Sequence, residues 1–207
     1  MRISVIMPSY LFEYKGSASN REEKCIRAVN SFLNQTYFEK ELVIVSDGCQ
    51  KTNRLYRAHW SDNKQIKLVE LEKQPMFSGN VRQAGLDAAT GQILCYLDTD
   101  DFIGMTHLSA IYEAFAEQDE EWIYFNDFLY FGKTVSPTIR EVILTSGRIG
   151  TSNIAHKKLS DAVWTGMDGG RHDWMFVERM MKFHTDYRKV YGMSYQVCHL
   201  AESKHDY

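Results

Sequence analysis

Cysteine is sparse and shows no pairing pattern. The four residues, Cys25, Cys49, Cys95 and Cys198, are scattered without a CxxC pair. Two of them fall inside apolar periodic segments, which predicts buried thiols in a reducing compartment. Long apolar runs are also missing. No stretch approaches a membrane-spanning length. The opening residues Met1-Arg2-Ile3-Ser4-Val5-Ile6-Met7-Pro8 hold too short an apolar run for a secretory leader. The expected setting is cytoplasmic. Neither sign of charge dominates: 24 Lys+Arg against 27 Asp+Glu leave a net charge of −3, which gives no electrostatic case for nucleic acid or an anionic membrane. GxGxxG and GxxxxGKS/T are both absent, so neither a dinucleotide fingerprint nor a P-loop is available. No internal repeat, low-complexity tract or linker divides the chain.

What is there suits one large soluble domain, or one domain with a small addition. The chain has 207 residues, 44% hydrophobic and 25% charged, which is ordinary for a globular protein. Aromatic residues concentrate after Tyr112, which fits an aromatic-walled pocket in the second half or a tyrosine-rich core. Residues 3–7, 41–45, 66–71 and 92–97 are short apolar or β-branched runs and read as strands. Between them, residues 21–33, 52–59 and 78–89 read as helices. Cys25, Ala28, Val29, Phe32 and Leu33 recur at helical spacing in the first, and small residues in the third allow close approach to a sheet. This alternation predicts a largely parallel sheet between helices. Thr106 can cap a further helix with Leu108, Ile111, Tyr112 and Phe115 inward. Residues 122–131 read as another strand, 132–137 as a turn or loop, 142–144 as a short strand and 147–153 as irregular. A glycine-bearing loop at 167–171 precedes a helix at 173–184, and residues 189–200 read as a final hairpin or strand.

Chemistry gathers at strand ends. The apolar residues from Gln92 to Leu97 run straight into Asp98-Thr99-Asp100-Asp101. Such carboxylates cannot stay buried unpaired, so they belong at a cleft mouth, where two acids one residue apart can converge on a divalent cation. The plainer alternative is an acidic turn capping the next helix. Pro8-Ser9-Tyr10 and Asp47-Gly48 also follow parallel strands, and such strand ends share one edge of the sheet.

Five motifs fall in order: residues 3–10, Ser31-Phe32-Leu33-Asn34-Gln35-Thr36-Tyr37, residues 41–48, Asn80-Val81-Arg82-Gln83-Ala84-Gly85, and residues 89–101. Together they resemble the nucleotide-binding half of a glycosyltransferase family 2 enzyme. In the second half, Gly170-Arg171-His172-Asp173-Trp174-Met175-Phe176 is similar to that family's Glu-Asp-Trp pattern, and residues 191–203 are similar more weakly. The resemblance implies an α/β fold of GT-A type, a Rossmann-like mixed, mainly parallel sheet flanked by helices. It implies one domain over 1–207, with 1–101 binding the nucleotide and 102–207 the acceptor.

Carried over residue by residue, the resemblance implies that Pro8, Ser9 and Tyr10 line the base and ribose, and that Asp47 accepts from uracil N3–H. Arg82 is the nucleotide-side arginine. Asp98 approaches the ribose with Thr99 beside it, and Asp100 binds Mg²⁺ or Mn²⁺ with the diphosphate of a nucleotide sugar. Asp101 supports the metal or caps the following turn. His199 is placed as an extra metal or phosphate ligand, although a lone histidine is more often a surface or core residue. Asp173 is the general base for an acceptor hydroxyl in an inverting displacement, against the alternative of an N-cap. His172 orients that carboxylate or faces solvent.

Four departures from the family pattern bear on base specificity: Ser46 in place of an acid, Leu11 and Gln83 in place of asparagines, and His172 in place of a glutamate. The implied partners are a nucleotide-sugar donor, with UDP favoured, and a saccharide or lipid-linked saccharide acceptor. A peripheral membrane association is compatible with such an acceptor. A partner subunit that binds nucleotide sugars without catalysis is one competing reading. A nucleotidyltransferase is another, but it would want a glycine-rich basic loop that Pro8-Ser9-Tyr10-Leu11 does not provide.

Overall fold

A computed structural model describes residues 1–130 and 137–198. The first half alternates as its periodicity predicts: β1 (Ile3–Ser9), α1 (Arg21–Leu33), β2 (Lys40–Asp47), α2 (Gln50–His59), β3 (Ile66–Leu71), α3 (Gly79–Ala88) and β4 (Ile93–Tyr96). β1 lies between β2 and β4, β2 lies between β1 and β3, and all three pairings are parallel. β2 and β4 are buried along their whole length, as strands covered on both faces must be.

Alternate residues face opposite layers. Val5, Leu42, Ile44, Ile93 and Cys95 join a core with Phe32 of α1. Ile6, Val43, Val45, Leu94 and Tyr96 join a second core with Val81 and Leu86 of α3. α3 lies close because Gly85 has no side chain; a Cβ there would stand 2.5 Å from Ile6 Cγ2. All four cysteines are buried, as expected.

The second half departs from expectation in several places. After β5 (Phe102–Ile103) and α4 (His107–Glu117), residues 122–129 form two strands, β6 (Trp122–Phe125) and β7 (Asp127–Leu129), in different sheets. Asn126 makes the break and its side chain accepts from the Val142 amide at 2.9 Å. Residues 142–144 are not a strand; the short strand β8 (Thr138–Arg140) precedes them. The loop expected at 132–137 lies almost wholly outside the described residues. Thr106 stands at the start of α4 without a side-chain capping bond.

β9 (Ile154–Lys157), unforeseen, fills the middle of the sheet, antiparallel to both β4 and β6. Its buried His156 meets Tyr96 Oη at 2.9 Å and the Lys157 carbonyl at 2.7 Å, so neither ring nitrogen is stranded. After α5 (His172–Phe183), β10 (Tyr187–Val190) and β11 (Tyr195–Val197) do not pair as a hairpin; they join different sheets. The main sheet runs β10-β6-β9-β4-β1-β2-β3 and the small one β5-β11-β7-β8. The result is an α/β fold with a mixed, mainly parallel sheet flanked by helices.

Candidate active site at the carboxyl edge of the sheet

Adjacent parallel strands end at one edge, and there the three predicted groups meet. A cleft of about 440 Å³ is lined by Pro8, Ser9 and Tyr10 after β1, by Asp47 after β2, and by Asp98, Thr99 and Asp100 after β4. Arg82 reaches it from α3. His172 and Asp173 close it from the first turn of α5. Lys73, Met76 and Phe77 on the β3–α3 loop join the wall, as do Tyr14, Gly16 and Ala18 between β1 and α1, and no sequence pattern marked them as site residues.

At one end, Gly48 turns the chain with φ +59°, and a Cβ there would lie 2.6 Å from the Lys73 amide nitrogen. Only glycine fits both demands. That packing sets the Lys73 loop against Asp47, whose carboxylate accepts from Lys73 Nζ at 2.7 Å and from the Gln74 amide at 2.6 Å. Ser46 does not act as an acid would. Its hydroxyl donates to the Cys49 carbonyl at 3.1 Å and accepts the Cys49 amide at 3.3 Å, closing the turn into α2. Ser9 is buried and its hydroxyl pairs with Thr52 at 2.8 Å, so its contribution to the wall is shape. The Tyr10 carbonyl is held by Arg21 at 2.7 Å.

At the acidic end the three carboxylates part company. Asp98 is 39% exposed and stands 3.6 Å from Arg82 Nη2. The Asp100 carbonyl accepts from Arg27 Nη2 at 2.5 Å, and the residue lines the cleft. Asp101 turns inward, away from any metal role and from capping. It is buried and accepts from Tyr195 Oη at 2.9 Å and the Cys198 amide at 2.7 Å, tying the last strand to this turn. Burial, then the Asp100 and Asp98 charges, push its carboxyl well above the usual range.

Two cleft-lining aspartates, Asp98 and Asp100, supply hard oxygen donors of the kind that fit Mg²⁺ or Mn²⁺. Among the described residues no three acidic, histidine or cysteine side chains gather into a metal cage. His199 lies outside the described residues.

The predicted base is not an N-cap. α5 begins at His172 after Arg171, so Asp173 is inside the first turn. Its Oδ1 lies 3.0 Å from His172 Nε2, 3.3 Å from the Thr151 hydroxyl and 3.7 Å from Arg82 Nη2. Burial works to raise this carboxyl, but Arg82 and then His172 outweigh it and hold it near about 2. His172 is buried rather than facing solvent. Its Nδ1 stands 2.8 Å from the Gly169 carbonyl and so carries the hydrogen. Nε2 stands 3.0 Å from both Arg82 Nη1 and Asp173 Oδ1, so a protonated ring donates to the Asp173 carboxylate and a neutral one accepts from Arg82. Arg82 itself is buried, lies over the Trp164 ring at 5.2 Å, and links Asp98 to Asp173.

Residues 4–192 match the model of the family described as Glycosyl transferase family 2. An uncharacterized glycosyltransferase of Nostoc sp. is 32% identical over 119 residues, 58% of this chain and 34% of that protein. The Escherichia coli UDP-Glc:alpha-D-GlcNAc-diphosphoundecaprenol beta-1,3-glucosyltransferase WfgD is 34% identical over 99 residues, 48% of this chain and 35% of that protein. The chain thus spans about a third of the length of these curated relatives. Among solved structures, Staphylococcus aureus TarS in complex with UDP-GlcNAc superposes with a TM-score of 0.75 at 18% identity, covering 100% of this chain and 62% of that one. The Pyrobaculum calidifontis mannosyltransferase PcManGT, in complex with GDP-Man and Mn²⁺, gives 0.67 at 14% identity over 95% of this chain and 56% of that one. These likenesses carry the GT-A type fold, and the family model, matching most of the chain, makes the protein a member of glycosyltransferase family 2.

Proposed function

We propose that this chain transfers a sugar from a UDP-sugar to an acceptor hydroxyl with inversion, assisted by a divalent cation. The observation that carries the reading is the single cleft in which Asp47, Arg82, Asp98, Asp100 and Asp173 converge. Asp47 accepts from uracil N3–H, Pro8, Ser9, Tyr10 and Thr99 wall the nucleoside, and Asp98 faces the ribose. Asp100 holds Mg²⁺ or Mn²⁺ together with the donor diphosphate; the ion, when bound, neutralises charge developing on the leaving nucleotide. Arg82 adds a fixed cation beside that diphosphate. Asp173, across the cleft, takes the proton of the attacking hydroxyl, and His172 orients it.

A carboxyl held near about 2 is a weak base, which is the observation favouring a partner subunit without catalysis. Arg82 resolves the difficulty. The same guanidinium faces Asp98 and Asp173, so a bound diphosphate competes for it and loosens its hold on the base. The chain would work as one domain, with residues 1–101 holding the donor and 102–207 supplying the base and the acceptor wall.

Support for the acceptor class comes from the relatives' names, a GlcNAc-diphosphoundecaprenol for WfgD and a poly(ribitol-phosphate) for TarS of S. aureus. Both are polyhydroxyl compounds, as the proposed base requires. The test is release of UDP from a panel of UDP-sugars, with saccharide and lipid-linked saccharide acceptors, in Mn²⁺. Turnover abolished by chelator is expected. Nucleotide-sugar binding with no turnover on any acceptor would favour the non-catalytic partner instead.

A further inference from the structure

We infer that Lys73 is a second determinant of base specificity, reading the uracil O4 beside the N3–H that Asp47 accepts. This rests on the uridine reading above and adds a residue to it. Lys73 Nζ donates to Asp47 Oδ2 at 2.7 Å and to the Gln74 carbonyl at 2.5 Å. An ammonium has three N–H donors. The group also stands 4.7 Å from the centroid of the Tyr10 ring, and both residues line the cleft. A donor and an acceptor thus stand side by side in the cleft wall, the donor over an aromatic ring.

The backbone beneath the pair is fixed. Gly48 packs directly on the Lys73 backbone, and the Gln74 amide fixes the other carboxylate oxygen of Asp47. The carboxylate keeps unused lone pairs for a further donor.

The pair has a defined complement. Uracil presents N3–H and O4 on adjacent atoms, donor then acceptor. With the ribose held on the Asp98 side, Asp47 meets N3–H and the Lys73 ammonium meets O4. Cytosine presents the reverse. Its N3 lone pair would oppose the Asp47 carboxylate, and its N4 amino group would oppose the ammonium. Two mismatches in place of one make the rejection strong, because each leaves a polar group desolvated without a partner.

Calorimetric titration with UDP, CDP and 4-thio-UDP in Mn²⁺ tests this on wild type, Lys73→Met and Lys73→Gln. The thio analogue keeps N3–H and replaces O4 by a weaker acceptor. Wild type is expected to bind UDP at least about tenfold more tightly than CDP, and more tightly than 4-thio-UDP. In Lys73→Met, UDP binding weakens and the ratio of UDP to 4-thio-UDP affinity falls towards one. Lys73→Gln, which keeps an N–H donor, restores part of that ratio. A wild-type ratio that survives intact in Lys73→Met would overturn the inference, leaving Lys73 as a prop for Asp47. So would tighter UDP binding by Lys73→Met, which would mean that the lysine occupies the site rather than reads it. Preference for GDP in wild type would instead overturn the uridine reading itself.

Discussion

At the scale of single residues, the site is held in tension by one buried guanidinium. Arg82 faces Asp98, His172 and Asp173 at once, and through the last it keeps a candidate base deprotonated far below the usual range. Replacing Asp173 by Asn removes proton acceptance but keeps the side chain's shape and its contact with Thr151. Because Asp173 is not the helix cap, no capping energy is lost. Asp173→Asn is expected to melt within a few degrees of wild type and bind donor with metal, yet turn over at least about a hundredfold more slowly. Turnover is read beside the thermal midpoint on one preparation, and full activity would remove the residue from the mechanism.

The sign of the pH effect follows from the same contact. A carboxyl depressed to about 2 stays ionised as pH falls through 4, so the acid limb of the free enzyme's rate profile lies below the ordinary aspartate range. Arg82→Gln takes away the largest lowering influence, and the acid limb of kcat/KM then moves upward in pH. An unmoved limb would mean that Arg82 does not control the base. Asp47, Asp98 and Asp100 were legible in the sequence because each follows an apolar run that had to be a buried strand. Lys73 was not, since it reaches the cleft from an irregular segment whose side chains obey no period.

At the scale of elements, strands buried on both faces announced themselves and strands at joints did not. β9 is four residues long, includes His156 and Lys157, and sits in the sheet only because Tyr96 and a backbone carbonyl satisfy the histidine. Nothing local distinguishes it from loop. Residues 122–129 carry one aromatic, β-branched composition, yet Asn126 divides them between two sheets; composition reports strand and not partner.

A buried carboxylate joins three elements on the opposite side of the sheet from the cleft mouth. Glu41 of β2 accepts from Ser4 of β1 at 2.6 Å and from the Thr90 amide at 2.6 Å just after α3. Burial raises its carboxyl, but these hydrogen bonds and Lys67 outweigh it and bring it to about 2. Its stabilising contribution is therefore full above the ordinary value of 4.5 and is lost as pH falls from there towards 2. Glu41→Gln should cost about 1–3 kcal/mol near neutral pH. Denaturant melts at pH 7 and pH 3 check this: the gap between variant and wild type narrows at the lower pH, and a constant gap would refute the linkage.

At the scale of the whole molecule, the cleft belongs to neither half of the chain alone. The parallel strands of the first half supply Asp47, Asp98 and Asp100, and α5 of the second brings Asp173 across to Arg82. The fold type and the shared edge were legible from alternation and strand-end motifs. The second sheet was not, because its strands are two or three residues long and are defined by partners distant in sequence. Asp101 illustrates the same limit. It looked like a third site carboxylate, and instead it anchors β11 through Tyr195 and Cys198.

The proposed function makes this edge a cation-assisted site for a uridine diphosphate, organised by Asp100. Its most direct test is calorimetric titration of UDP with and without Mn²⁺, on wild type and on Asp100→Ala. The account predicts tight binding only for wild type with Mn²⁺, and loss of the metal's effect in the variant. Equal affinity in all four titrations would contradict it.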